Sequence, residues 1–175
     1  MPKEGVVSIW WLAGAMLLLP VVGMAGYWLH AGLTHPVIND VVTDPTLPLD
    51  FRAMPVAVPY PGEAFAEKQR AAYPEVQPLH LDATPQLAYD AALRLINERG
   101  WQVAMSEPAR GRIEAIARSR IFRFADEIAV QLTPAPDGVR VDVRSRSRVG
   151  RSDLGVNAAR VRLFLQDLQQ SLPAA

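Results

Sequence analysis

The sequence contains no cysteine. Disulfides, thiolate catalysis and cysteine-ligated zinc are therefore all excluded. It also has no net charge, with 18 basic and 18 acidic residues among 175. Residues 80–175 carry fourteen arginines and no lysine against eleven acidic residues, an excess of only three. Because nucleic-acid binding needs a strongly basic face, we expect no nucleic-acid partner.

Familiar catalytic and cofactor motifs are also missing. The sequence has no H-E-x-x-H, P-loop or dinucleotide fingerprint, so we predict no catalytic residue, metal or cofactor. The stretch GRSDLG at 150–155 reads G-x-S-x-x-G instead of the G-x-S-x-G of a nucleophile elbow, and no histidine follows it. His80 is more typical of a structural histidine than of a base. A hydrolase that uses Ser152, Asp153 or His80 stays open as the weakest alternative.

One long apolar run is present near the N-terminus. Residues 6–29 carry no charge, and these 24 residues exceed the ~20 that cross a ~30 Å hydrocarbon layer. Trp10–Trp11 and Tyr27–Trp28 would lie in the two headgroup zones. We therefore predict a transmembrane helix at 6–29. The alternative is a cleaved signal peptide with Gly23-Met24-Ala25 as its cleavage site, although its apolar core would be unusually long.

The charges that flank this run predict its orientation. Lys3 precedes it, and the next basic residue is Arg52. The positive-inside rule then keeps residues 1–5 in the cytoplasm. We expect a single-pass protein of the bacterial inner (cytoplasmic) membrane whose C-terminal domain is periplasmic or extracytoplasmic.

A proline-rich connecting segment follows at 30–77. Eight prolines lie between residues 30 and 79, which disfavours regular elements. A passive linker would be polar, whereas this segment is rich in Val, Leu and Ile. We predict an irregular chain that docks partly on the following domain, with a short helix at Glu63–Ala72.

The remaining residues, 78–173, predict one globular α+β domain. Hydrophobic periodicity and turn residues give the order β-α-β-β-β-β-α, with Thr84 and Pro85 starting the first helix and Gly100 ending it. Short turns imply an antiparallel sheet, and two amphipathic helices would cover one of its faces. The strands are expected at 78–82, 101–106, 112–120, 127–133 and 139–148, and the helices at 84–99 and from Ser152 or Asp153 to Leu172.

The last predicted strand carries the most informative polar motif. Alternation puts Val139, Val141 and Val143 on one face and the polar residues on the other, namely Arg140, Asp142, Arg144, Arg146 and Arg148. Glu114 and Glu127 on neighbouring strands are available to offset these charges. The face is therefore either a solvated surface of salt bridges or a site for a bound anion.

The turn after this strand admits two interpretations. Arg151, Ser152 and Asp153 follow Gly150 and lead into the last helix, whose free N–H groups can bind an anion. Ser152 or Asp153 can equally cap the helix and fill that position. The candidate anion site therefore comprises Arg144, Arg146, Arg148, Arg151, Ser152 and Asp153.

This motif also carries a resemblance to a known family. RSRSRVGRSDLGVNAARVR at 144–162 resembles the signature of the bacterial domain of unknown function family 1499, and IEAIARSRIFRFADEIAVQL at 113–132 is similar to another of its runs. INDVVTDPTLPLDF and AAYPEVQPL also look like its N-terminal stretches. The resemblance covers residues 38–168. It implies a fold and an envelope setting without a reaction, and it implies that the proline-rich segment belongs to the domain.

Three functions of different classes are compatible with these observations. The first is a membrane-anchored, non-catalytic envelope domain that binds an anionic lipid, a cell-wall fragment or an acidic protein through its arginines. The second is a structural or assembly protein that holds another envelope protein through its sheet or its connecting segment. The third is the hydrolase already mentioned.

Overall fold

The computed structural model describes residues 19–24, 26, 36–119 and 124–172. Residues 19–24 and 26 are helical, and most of the predicted membrane anchor at 6–29 lies outside the described residues. No helix within the described ranges is both long and apolar enough to span a membrane. Residues 36–175 form a compact unit of their own.

This unit is an antiparallel sheet with three helices. Its elements are β1 (Asp40–Val42), α1 (Glu63–Ala72), β2 (Leu79–Leu81), α2 (Pro85–Glu98), β3 (Gln102–Glu107), a 3-10 turn (Pro108–Arg110), β4 (Arg112–Arg118), β5 (Ala125–Ala135), β6 (Gly138–Ser147) and α3 (Val156–Gln170).

The sheet is organised around β6. The strand order is β1-β6-β5-β4-β3, and every pairing is antiparallel. Two short strands share the free side of β6: β2 pairs with its first half, with Leu79 opposite Val141, and β1 pairs with its second half, with Val41 opposite Ser145. Because β5 occupies the other side along its whole length, β6 is central and its side chains reach both faces of the sheet.

One face of the sheet, the inner face, is apolar. The valines at 139, 141 and 143 are buried there with the apolar sides of α2 and α3, including Ile96, Phe164 and Leu168. Trp101 stacks on Phe164 at 5.8 Å between ring centroids. The α+β class and the placement of both predicted helices on one face are therefore confirmed.

The start of α2 also follows the sequence prediction. Thr84 caps it, accepting a hydrogen bond from the N–H of Leu87 at 3.3 Å, and Pro85 occupies the first turn, where no N–H is needed. Gly100, just past its end, has φ 66°, a conformation that favours glycine.

The start of α3 differs from the prediction. The helix begins at Val156 and not at Ser152 or Asp153, because Leu154 (φ 55°) and Gly155 (φ 83°) are both left-handed and interrupt any helix through them. It ends at Gln170 and not at Leu172.

The sequence prediction also missed β1. This strand is only three residues long and lies inside the proline-rich segment. Gln69 of α1 closes its free edge: the amide Nε2 donates to the carbonyl of Val42 at 2.7 Å, and Oε1 accepts from the Val42 N–H at 3.0 Å. The predicted helix at Glu63–Ala72 is confirmed. Its buried Gln69 makes the two hydrogen bonds to Val42 that a neighbouring strand would otherwise make.

Candidate functional site

The second face of the sheet, the outer face, carries the arginines as alternation predicted. It is not solvated, however, because residues 43–61 cross it as an irregular chain that we call the strap. Phe51 and Met54 of the strap are buried there against Ala129 of β5. Arg112, Arg144 and Arg146 are 2%, 0% and 6% exposed, so they are interior groups. Buried guanidiniums need both a counter-charge and hydrogen-bond acceptors.

Arg144 is the most enclosed of these side chains. It pairs with Asp40 of β1 through two bonds of 2.9 and 2.6 Å. Its remaining donors reach the strap carbonyls of Leu49 (2.6 Å) and Val58 (3.2 Å), and its guanidinium lies 4.9 Å from the ring of Phe51. Arg144 therefore binds both the edge strand and the strap, with all of its contacts inside the protein.

Arg112 and Glu114 of β4 form a second attachment for the strap. They pair at 2.9 Å, and Arg112 also donates to the carbonyl of Asp50. The Glu114 carboxylate accepts the backbone N–H groups of Arg52 (2.9 Å) and Ala53 (2.8 Å). A carboxylate that accepts two adjacent N–H groups fixes the local course of the chain.

Arg140 holds the beginning of the strap. It bonds to Asp142 at 2.8 Å and to Asp44 at 2.5 Å. The Thr46 hydroxyl, which donates to Asp44, and then Arg140 lower the pKa of Asp44 despite its partial burial. Asp44 is therefore ionised down to a lower pH than a free aspartate.

Glu127 of β5 is shared by two arginines. Arg146 donates to its Oε2, and Arg148 donates to its Oε1 through Nε at 2.8 Å. Glu127 is 1% exposed, whereas the Arg148 side chain is 30% exposed. Within the described part of the chain, no acceptor meets the terminal nitrogens of Arg148.

A cleft of about 430 Å³ opens at this pair. Its polar lining includes the charged residues Asp40, Glu127, Arg146 and Arg148. Its apolar lining comes from the strap residues Pro55, Val56, Val58 and Pro61. An anionic group with an apolar portion would match both surfaces.

The turn that follows β6 lies apart from the cleft lining. Arg151 is exposed, and Ser152 Oγ donates to the carbonyl of Pro36 at 3.2 Å. The Asp153 carboxylate accepts the N–H groups of Gly155 (2.9 Å) and Asn157 (2.7 Å) and so caps α3 from outside the helix. Burial raises the pKa of Asp153 against the opposing effect of these N–H groups.

The six residues of the predicted anion site therefore have different surroundings. Arg144 is enclosed under the strap, Arg146 and Arg148 line the cleft, and Arg151 lies on the surface. Ser152 and Asp153 are occupied by backbone groups. Anion binding by these residues stays a prediction. Arg148 is the member at the cleft whose terminal nitrogens meet no acceptor among the residues that the structure describes.

A polar cluster between β6 and α3 was not recognised from the sequence. Ser145 donates to the Asn157 side chain at 2.7 Å, and Arg160 donates to Ser145 at 2.9 Å and to Asp126 at 2.6 Å. Asn157 also donates to Ser147 at 3.0 Å. The only available signal was polar residues on both sides of an otherwise apolar interface. Because each group is bonded within the cluster, it positions α3 on the sheet.

The residues of the hydrolase alternative do not come together. His80 is exposed on β2, opposite Arg140 near the start of β6, whereas Ser152 and Asp153 follow the far end of β6. No cluster of metal-ligating side chains occurs among the residues that the structure describes.

The fold and this face define a class of protein: a small α+β domain whose sheet is closed on one side by helices and on the other by a strap held on buried arginines. The chain matches the family model described as "Protein of unknown function (DUF1499)" over residues 40–168. It belongs to this family, as its motifs indicated. The match starts at β1 and includes the strap, so the strap is part of the family domain.

Other comparisons are more distant. A crystal structure of a protein from Mesorhizobium loti is 14% identical, with 54% of this chain and 92% of that chain covered and a TM-score of 0.42. A DUF4468 family protein from Bacteroides ovatus is 13% identical, with 44% and 56% covered and a TM-score of 0.27. A search of curated protein sequences finds no match. Both TM-scores lie below 0.5, and neither structure indicates a function for this chain.

Proposed function

We propose that this protein is a membrane-anchored, non-catalytic envelope domain that binds an anionic group at Arg148, at the mouth of the cleft. The observation that carries this proposal is that Arg146 and Arg148 share one carboxylate, that of Glu127. Two guanidiniums on one carboxylate leave one positive charge without a counter-charge at that point.

Arg118 of β4 forms no ion pair with a described residue but does not line the cleft, and three other arginines of the outer face have carboxylates of their own. Arg144 has Asp40, Arg112 has Glu114, and Arg140 has both Asp142 and Asp44. Among the described arginines of this face, Arg148 combines a shared carboxylate with partial exposure and with terminal nitrogens that meet no acceptor in the described part of the chain. A guanidinium presents its donors as a planar fork that matches a phosphate or carboxylate, so an anion is the ligand this geometry favours.

The envelope location is part of the proposal and is supported by the apolar run at 6–29, which is long enough for a span, and by the basic residue that precedes it. On this proposal the domain lies outside the cytoplasm. Envelope phosphate and carboxylate groups, from lipids or cell-wall polymers, are then the available anions.

Binding of inorganic phosphate to the full chain in a neutral detergent tests the anion site. Titration followed by NMR of the arginine Nε–Hε groups should shift the Arg148 signal. Arg148→Gln should weaken binding by about tenfold or more, because one charge-assisted bond contributes roughly 1.5–3 kcal/mol. The control is Arg94→Gln, an exposed arginine on α2 that should bind as the unaltered chain does. Equal phosphate affinity in both variants would refute the proposal.

A second candidate function is to hold another envelope protein through the strap. It is favoured by large apolar side chains that the strap leaves exposed, Leu47 at 75% and Val56 at 61%. Photo-crosslinking from either position in intact cells tests it. A single crosslinked protein that is lost in Leu47→Ser and Val56→Ser would support this function, and crosslinks to lipid alone would exclude it.

A further inference from the structure

One end of the sheet gathers exposed basic and apolar side chains. The chain joins the domain there: the carbonyl of Pro36 accepts from Ser152, and Asn39 donates to the carbonyl of Gly150 at 2.6 Å. We call this region the Pro36 end. The loop after β6 and the residues next to the β4–β5 connection reach it as well.

The strand register places these residues together. Arg118 lies opposite Ala125, and the N–H of Arg148 donates to the carbonyl of Ala125 at 3.2 Å. The residues just beyond, Phe124 and Val149, therefore emerge at the same end of neighbouring strands. They are 53% and 59% exposed, and Val37 is 49% exposed.

The charge of the Pro36 end is positive. Arg118 and Arg151 are exposed, and neither forms an ion pair with a described residue. The sheet carboxylates at this end, Asp40, Asp126 and Glu127, are 2%, 5% and 1% exposed. Asp126 is bonded to Arg160. These sheet carboxylates are thus withdrawn and paired with arginines. Asp153, in the turn beside Arg151, is partly buried, and its carboxylate accepts two backbone N–H groups of α3 and the residue before it.

Arginine interspersed with exposed aromatic and aliphatic side chains is the composition that binds an anionic bilayer surface. Headgroups attract the guanidiniums, and the apolar side chains enter the headgroup boundary. A lipid surface is favoured over a protein partner because Val37 is next in sequence to Pro36, the residue that follows the segment connecting this unit with the apolar run at 6–29. Six residues, 30–35, span at most about 22 Å, so a bilayer that holds the run at 6–29 would be within reach of the Pro36 end.

We infer that the Pro36 end, through Val37, Arg118, Phe124, Val149 and Arg151, docks on anionic lipid headgroups. This inference rests on the proposed membrane location and not on the cleft at Arg148. Docking holds the opposite end of the sheet, with the β5–β6 turn at Pro136–Asp137, away from the bilayer.

The absence of cysteine allows a direct test. The full chain is reconstituted in vesicles of phosphatidylcholine alone or of phosphatidylcholine with phosphatidylglycerol. Val149→Cys carries an environment-sensitive fluorophore, and Asp137→Cys, exposed in the β5–β6 turn, is the control. The label at 149 should shift its emission to the blue and be quenched by spin-labelled lipid only when phosphatidylglycerol is present. The label at 137 should not change.

Charge variants complete the test. Each arginine near an anionic surface contributes about fivefold to docking, so Arg118→Gln with Arg151→Gln should weaken it by roughly 25-fold and abolish the shift. Arg94→Gln with Arg110→Gln, two exposed arginines elsewhere, should keep it. Equal signals in both lipid compositions, or equal signals at 137 and 149, would overturn the inference.

The same reporter separates this inference from the proposed anion site. If Arg148→Gln abolishes phosphate binding but keeps the shift at residue 149, the lipid surface stands independently of the cleft. If the shift is absent while phosphate binding is intact, the lipid inference fails and the anion site remains.

Discussion

The two faces of the sheet are closed in different ways. On the inner face, two regular helices bury apolar side chains, and the interaction is nearly non-directional. On the outer face, an irregular strap is held by guanidiniums and carboxylates whose bonds have defined directions. The inner face therefore accounts for most of the buried apolar surface, whereas the outer face determines the course of the strap.

The largest effect is expected from removal of Arg144. Arg144→Ala leaves Asp40 buried without its counter-charge and frees the strap carbonyl of Leu49. The carbonyl of Val58 keeps only the long bond from Arg146, at 3.5 Å. We expect the free energy of unfolding to fall by about 3–5 kcal/mol, measured by urea denaturation. Hydrogen exchange should rise across residues 49–58.

Phe164→Ala on the inner face is the matched comparison. It should also cost about 3–5 kcal/mol, through a cavity, but exchange should rise in α3 and not selectively in the strap.

Replacing both charges, Asp40→Leu with Arg144→Met, should recover much of the stability. A double variant as unstable as Arg144→Ala alone would contradict the claim that the unpaired, buried carboxylate of Asp40 causes most of the loss of stability.

Glu114→Gln should have a somewhat smaller effect. The amide keeps one oxygen for the N–H groups of Arg52 and Ala53 but leaves Arg112 with no buried counter-charge. We expect a loss of roughly 2–3 kcal/mol and faster exchange of the amides at 52 and 53. Glu98→Gln, exposed on α2, should change the stability by less than about 0.5 kcal/mol.

Gln69→Leu tests how the free edge of β1 is closed. The substitution keeps the volume but removes the bonds to both backbone groups of Val42 and the acceptor of the Tyr60 hydroxyl at 3.0 Å. Unfolding should become easier by roughly 1–3 kcal/mol. The Val42 amide should lose its exchange protection, and unchanged protection would show that another group closes the edge of β1.

The smallest effect concerns Asp44 and depends on pH. Its pKa is lowered in the folded state, so its stabilising effect is present above the unfolded pKa near 3.8 and is lost as the pH falls through the lower folded value. Asp44→Asn should therefore cost about 1 kcal/mol at pH 7 and nearly nothing in strong acid. A difference that stays constant between pH 7 and pH 2 would argue against this linkage.

Much of the fold follows from local pattern. Alternation in β6 predicted which side chains face the core, and Thr84, Pro85 and Gly100 predicted both ends of α2. The start of α3 did not follow, because the cap is Asp153 acting across two left-handed residues. A capping side chain in the sequence does not specify how many residues separate it from the helix.

The arginine site was predicted less completely. The arginines and their face were recognisable from the period of two, but the partner of Arg144 is Asp40, 104 residues earlier in a three-residue strand. Long-range pairing of this kind leaves no periodic signal. The strap covers Arg144 and leaves Arg148 partly exposed. The sequence did not predict this difference, because tertiary contacts set the path of the strap.

The different roles of the two arginines are tested by comparing Arg144→Gln with Arg148→Gln in the full chain, with hydrogen exchange of the strap at 49–58 as the measurement. Arg144→Gln should increase exchange throughout that segment, and Arg148→Gln should leave it as in the unaltered protein, since Arg148 makes no bond to the strap. Equal loosening of the strap by the two variants would contradict the division between arginines that hold the strap and an arginine that is free to bind an anion.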